Sequence, residues 1–183
     1  MLLAACAQPD YVPKPHAYPR IDFPAKKYRL FDSAGSAYTF EMPLYAAMQK
    51  DTSGVYTAKP GWFNMRFIPF DATLHITYHK FSTWAQYDSL INDTRKLVNK
   101  HIQRAEDIAE NPVYNPDRKL YGMIFDIQGN TATNFNFYLT DSNRHFFRGA
   151  LYFNKQTNPD SIAPVYDFMR KDLAHLIETF AWK

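Results

Sequence analysis

Cys6, the single cysteine of the chain, closes the run Leu3-Ala4-Ala5-Cys6. Leu-Ala-Ala-Cys is the pattern of a bacterial lipobox. Small residues fit the signal peptidase site, and the cysteine thiol then takes a diacylglyceryl group. One cysteine also rules out an internal disulfide. His75 and His79 are a second candidate set. On a helix this spacing would put both imidazoles on one face, close enough to share zinc. On a strand they lie on one face but ~13 Å apart, too far for one ion at Zn–N distances of about 2.1 Å. The flanking run Ala72-Thr73-Leu74-His75-Ile76-Thr77-Tyr78 alternates and is rich in β-branched residues, so both are read as sheet-face histidines, with no metal site. Arg144, His145 and Arg148 are the third set. Successive even positions 144, 146 and 148 share a strand face, which would make the arginines a partner-contact patch able to bind anions. The structural alternative is pairing with Asp141 or Glu178.

Other chemistry is sparse. Glycine totals only six, and no Gly-rich phosphate loop, nucleophile elbow or His-Glu-x-x-His motif occurs. Asp126, Asp141 and Asp167 are single acids with no partner fixed by spacing. Asp141 opens Asp141-Ser142-Asn143 and reads as a turn residue, because a short acceptor there can bond the local backbone. The sequence thus points to a non-enzymatic protein without a cofactor. A ligand-binding protein with an aromatic groove at Trp62 or Trp84 is the alternative. A hydrolase would need a carboxylate to converge with His145 or His75.

The elements that must hold these residues follow from patterning. From Asn134 to Leu139 the chain alternates Phe135, Phe137 and Leu139 against Asn134, Asn136 and Tyr138, the signature of a half-buried strand. Phe146 to Phe153 is apolar on both faces and reads as a central strand. Leu120–Ile127 precedes them, so three strands form a meander. Tyr38–Tyr45, Trp62–Phe70 and Ala72–Tyr78 supply earlier strands. Thr83–Asn111 reads as one long helix, with Thr83 and Gln86 as a capping box and Pro112 as its end. A last helix starts near Asp160 or Ser161 and tolerates Pro164 in its first turn. Strands and helices are segregated, so the class is α+β, a mostly antiparallel sheet covered by a long central helix and a C-terminal helix.

The 183 residues suit one domain. Aromatics are 17% of the chain, which favours sheet and wide amphipathic surfaces. A net charge of +3, with dispersed Lys and Arg, gives no footprint for nucleic acid. Pro9, Pro13, Pro15, Pro19 and Pro24 make residues 6–27 a semi-rigid tether, extending ~3.1 Å per residue where polyproline-like. Ile21-Asp22-Phe23 is apolar enough for the tether's end to pack on the domain. Residues 1–5 are read as the remnant of a lipoprotein signal, the mature protein starting at Cys6, and residues 28–183 as a single domain.

These pieces resemble one family, the gliding-motility lipoprotein GldD of the Bacteroidetes. The resemblance lies in Pro13-Lys14-Pro15 with Tyr18-Pro19-Arg20-Ile21-Asp22-Phe23-Pro24, and in Trp62-Phe63-Asn64 with Ala72 to Tyr78. It is strongest in Tyr121-Gly122 to Asn130, Leu139-Thr140-Asp141-Ser142 and Phe147-Arg148-Gly149-Ala150-Leu151-Tyr152-Phe153-Asn154. Asp160-Ser161 and Ile177-Glu178-Thr179 near Trp182-Lys183 close it. His16-Ala17 departs from the basic-Gly pair expected there. The resemblance implies a membrane-anchored lipoprotein of gliding and of the type IX secretion machinery, with other proteins of that machinery as partners and no catalytic residues. Two or more acyl chains hold a protein stably on a membrane, and a lipoprotein cysteine carries three. Ala7-Gln8-Pro9 has no acidic export-like run, so a domain facing the periplasm is expected. The element order also looks similar to the Mog1/PsbP-type α/β/α sandwich, an analogy of fold only.

Overall fold

The computed structural model describes residues 20–50, 61–101, 105–129, 131, 133–154 and 159–183. Cys6 and most of the proline-rich stretch therefore lie outside the described residues. In chain order the strands are β1 (Tyr28–Phe31), β2 (Tyr38–Pro43), β3 (Ala46–Lys50), β4 (Phe63–Phe67) and β5 (Ala72–Lys80). Helix α1 (Trp84–Asn99) follows, then β6 (Ala105–Asn115), β7 (Leu120–Gly129), β8 (Thr133–Thr140) and β9 (His145–Phe153). Helix α2 (Pro159–Thr179) and the short β10 (Ala181–Trp182) end the chain. The fold is α+β, as patterning requires.

Seven strands form one antiparallel sheet in the order β3-β4-β5-β9-β8-β7-β6. The strand read as central is in the middle of it. A second sheet, β1-β2-β10, joins an early hairpin to the last residues, with Ala181 opposite Thr39 and Trp182 opposite Tyr38. The main core lies on one face of the large sheet. There Phe67, Leu74, Phe137, Phe147 and Leu151 meet Met169, Leu173 and Leu176 of α2 and Tyr38 and Phe40 of the small sheet, all fully or almost fully buried. A smaller cluster on the other face joins Phe125, Ile127, Tyr138 and Phe146 to Val98, with Tyr87, Leu90 and Ile91 of α1 packed against it. Two apolar faces need two covers, and the helices and small sheet provide them.

One expectation fails. The helix read from Thr83 to Asn111 stops at Asn99, and Ala105–Asn115 is a strand. Ala105, Ile108 and Ala109 fit helical spacing, and Ala and Glu favour helix, but β7 needs an edge partner. Ten residues of β6 pair with it, from Ala105 opposite Gly129 to Asn115 opposite Leu120. Those ladder bonds satisfy the backbone of β7, and weak local propensity yields to them. Pro112 is tolerated because β6 is the outermost strand, where a missing N–H costs no ladder bond. Arg95 of α1 reaches Glu110 of this strand with paired N–O distances of 3.3 and 3.4 Å. At the helix start Thr83 caps Gln86 N–H at 3.3 Å, while the Gln86 carbonyl reaches Ser82 N–H, one residue further back than a capping box requires.

The chain's approach to the domain is fixed by side chains. Phe23 stacks on Phe168 of α2 with centroids 4.6 Å apart. Lys26 Nζ donates to the Phe168 carbonyl at 2.7 Å and pairs with Asp172 at 2.7 Å. Asp172 is 1% exposed and also accepts from the hydroxyls of Tyr28 and Tyr45. Burial holds the Lys26 ammonium below its usual pKa, with Asp172 working the other way. Among the described residues no fully buried side-chain nitrogen or oxygen lacks a partner.

Candidate functional site

The hairpin between β8 and β9 is built on Asp141. Its Oδ1 accepts the backbone N–H groups of Asn143, Arg144 and His145 at 3.0, 2.9 and 2.8 Å. Burial pushes its pKa upward, but the three N–H donors and His145 outweigh this and hold it below the ordinary value. The carboxylate is thus engaged by its own turn, and Ser142 adopts a left-handed φ of 58° to close it. Arg144 is exposed in that turn, ahead of the strand.

His145 and Arg148 stand on opposite faces of β9. His145 stacks on Trp182 at 5.3 Å and on Tyr78 at 5.9 Å, and its Nδ1 lies 2.6 Å from the Tyr78 hydroxyl. Burial lowers its pKa, Asp141 acts to raise it, and Lys80 and Arg144 reinforce the lowering. Tyr78 is pushed up to about 12, by burial first and by Asp141 second. The three residues of the expected patch therefore do not share one surface: a turn, a core-side aromatic stack and the outer sheet face hold one each.

Arg148 lies on the face that α1 only partly covers. It is opposite Thr77 of β5 and Tyr138 of β8. Beside it runs an open groove of about 410 Å³, between the edge of α1 and strands β5 and β9. Leu90, Leu97 and Phe146 supply apolar lining, Arg148, Lys96 and Lys100 cationic groups, and Asp93 one carboxylate. Trp62 and His79 also line it, their rings edge-to-face at 5.5 Å. Trp62 is fixed there by its indole N–H, which donates to the Tyr78 carbonyl at 3.0 Å. Trp84 is 69% exposed on the first turn of α1 and is not among the residues of this groove.

The remaining candidates are engaged elsewhere. His75 Nδ1 lies 2.7 Å from Asn64 Oδ1. No cluster of three His, Cys, Asp or Glu suited to a metal occurs among the described residues. Asp126 accepts from the Tyr166 hydroxyl at 2.6 Å and pairs with Arg170 at 3.0 Å. A close histidine–carboxylate contact does exist, His175 Nε2 to Glu41 Oε2 at 2.6 Å, with Tyr28 stacked on the imidazole at 3.8 Å. It pins α2 to β2, and Thr179 adds a second pin by accepting Glu41 N–H at 3.0 Å. No sequence signal joins residues so far apart. The groove was legible only through Trp62.

Comparison with solved structures finds the PsbP protein CyanoP of Synechocystis sp. PCC 6803, at TM-score 0.51 and 12% identity, covering 87% of this chain and 95% of that one. The fold is PsbP-like, with helices on a central antiparallel sheet. No curated protein matches the chain. No helix among the described residues is long and apolar enough to cross a membrane. A family description for gliding motility lipoprotein GldD matches residues 8–182, nearly the whole chain, and the chain belongs to that family.

Proposed function

We propose that this protein is a lipid-anchored component of the gliding-motility and type IX secretion machinery, and that it acts by binding partner proteins rather than by catalysis. The observation that carries the reading is the family match over residues 8–182. Cys6 in Leu-Ala-Ala-Cys would take the lipid, and the proline-rich stretch would hold the domain off the membrane on its periplasmic side. The non-enzymatic reading is supported by how the candidate acids and bases are used: Asp141 holds a turn, His145 a stack, and Asp126 an ion pair. Arg144, at the exposed tip of the β8–β9 hairpin, and Arg148 are the residues at which partner contact is sought first.

Deleting the gene is expected to abolish secretion of type IX cargo and colony spreading; normal secretion and spreading would refute the role. Cys6→Ser, in a gene with a complete signal, is expected to move the protein to the soluble fraction. Continued membrane association would place the anchor elsewhere. The groove at Trp62 favours a second reading, a ligand-binding lipoprotein, because it combines an aromatic wall with charged groups in a concave site of a size that suits small molecules.

A further inference from the structure

The side chain of Arg148 is only partly exposed, in the middle of a seven-stranded sheet. Guanidinium groups in such places are normally paired, because desolvating a charge is costly. Here the guanidinium makes no side-chain hydrogen bond and no ion pair within 4.0 Å among the described residues. Its nitrogens are not sealed off, since no fully buried polar side-chain atom is left unsatisfied. They therefore face the groove.

The surroundings favour negative charge. Three cationic side chains, Arg148, Lys96 and Lys100, line the groove against one carboxylate. That carboxylate, Asp93, has Lys96 3.8 Å away on its own helix and also attracts Arg148 across the groove, without an ion pair within 4.0 Å, so two cationic groups remain in excess. Leu90, Leu97, Phe146 and Trp62 supply apolar and aromatic lining, and Thr77, Thr94 and His79 the remaining polar groups. We propose that this groove binds a small organic anion, a carboxylate or phosphate on an apolar or aromatic body. Arg148 takes the oxyanion through its planar fork of donors, Lys100 adds charge at the rim, and the body lies along Phe146, Leu97 and Trp62. A guanidinium matches the two oxygens of a carboxylate or phosphate bidentately, which a lysine cannot do. The inference rests on the ligand-binding reading and narrows it to a charge class.

Calorimetric titration of the purified full chain tests it, using phenyl phosphate, benzoate, inorganic phosphate and neutral N-acetylglucosamine. Phenyl phosphate or benzoate should bind saturably, and at least severalfold tighter than inorganic phosphate. The stronger of the two identifies the oxyanion. Arg148→Met should weaken that binding about tenfold or more, Arg148→Lys severalfold, and Lys100→Glu about threefold, as expected for charge-assisted hydrogen bonds and rim charges. Circular dichroism checks the fold of each variant. If Arg148→Met does not fold, the exposed Lys100→Glu and the conservative Arg148→Lys decide the question. Equal affinity in these variants would overturn the proposal, as would equal binding of inorganic phosphate. Binding of N-acetylglucosamine without either aromatic anion would overturn the anion site and leave the ligand-binding reading standing. Binding of none would remove both.

Discussion

At the scale of single residues, buried charge is placed where it fixes the chain. Asp172 has three donors around one carboxylate, and removing it would strand a partly buried ammonium and two hydroxyls. Asp172→Ala is expected to cost about 3 kcal/mol or more, by analogy with broken buried pairs, measured by urea denaturation. Lys26→Met should cost clearly less, because Tyr28 and Tyr45 still satisfy the carboxylate. His145 gives a pH signature. Its folded pKa lies below the ordinary 6.5, so the unfolded chain binds the extra proton first. Its contribution is full above that value and is lost as pH falls through 6.5 toward the lowered folded value. His101 is lowered in the same direction, by burial and by Lys100. Melting temperature should therefore drop on acidification from about pH 8 to about pH 5, and His145→Phe with His101→Gln should flatten the drop. Asp141, also lowered, acts in a separate window: its contribution is lost only as pH falls through 3.8 and below. The turn role of Asp141 was legible because short acidic residues before Ser-Asn bond their own backbone. The partners of Asp172 and His175 were not, since Lys26 and Glu41 meet them only through the packing of α2 on the small sheet.

At the scale of elements, β9 depends on the absence of a side chain. Gly149 lies opposite Phe137, and an added Cβ would stand 2.4 Å from the Phe137 ring. That ring is fully buried and cannot swing clear. Gly149→Ala is expected to destabilise by about 2 kcal/mol through overpacking, while Phe137→Leu in the same chain should recover part of the loss, a coupling that a double-mutant cycle would read. The strands with strict alternation or continuous apolar runs were legible, because burial on one face or two leaves a direct trace in residue type. The strand β6 was not. Ala105 to Glu110 carries helix-favouring residues at helical spacing, and only the need of β7 for an edge partner decides against the helix. β1, β3 and β10 are short, which leaves little alternation to read, and β10 pairs with a strand far away in sequence. Arg144 precedes β9, which begins at His145, so strand alternation does not extend to it.

At the scale of the whole molecule, the PsbP-like fold supplies a scaffold and the family supplies the setting. The core depends on the chain's last residues as much as on its sheet. Phe180 is fully buried, with its ring centroid 5.0 Å from Phe147 and 5.7 Å from Tyr38. Phe180→Ala is expected to cost about 3–5 kcal/mol and to loosen the small sheet, seen as lost amide protection in β2 as well as β10. The pairing of β10 with β2 has a temporal consequence. Synthesis runs from the N-terminus, so β2 waits for a neighbour 142 positions downstream of Thr39. Contacts of such long sequence separation form late and slowly. The domain cannot seal while residues 180–182 are still on the ribosome.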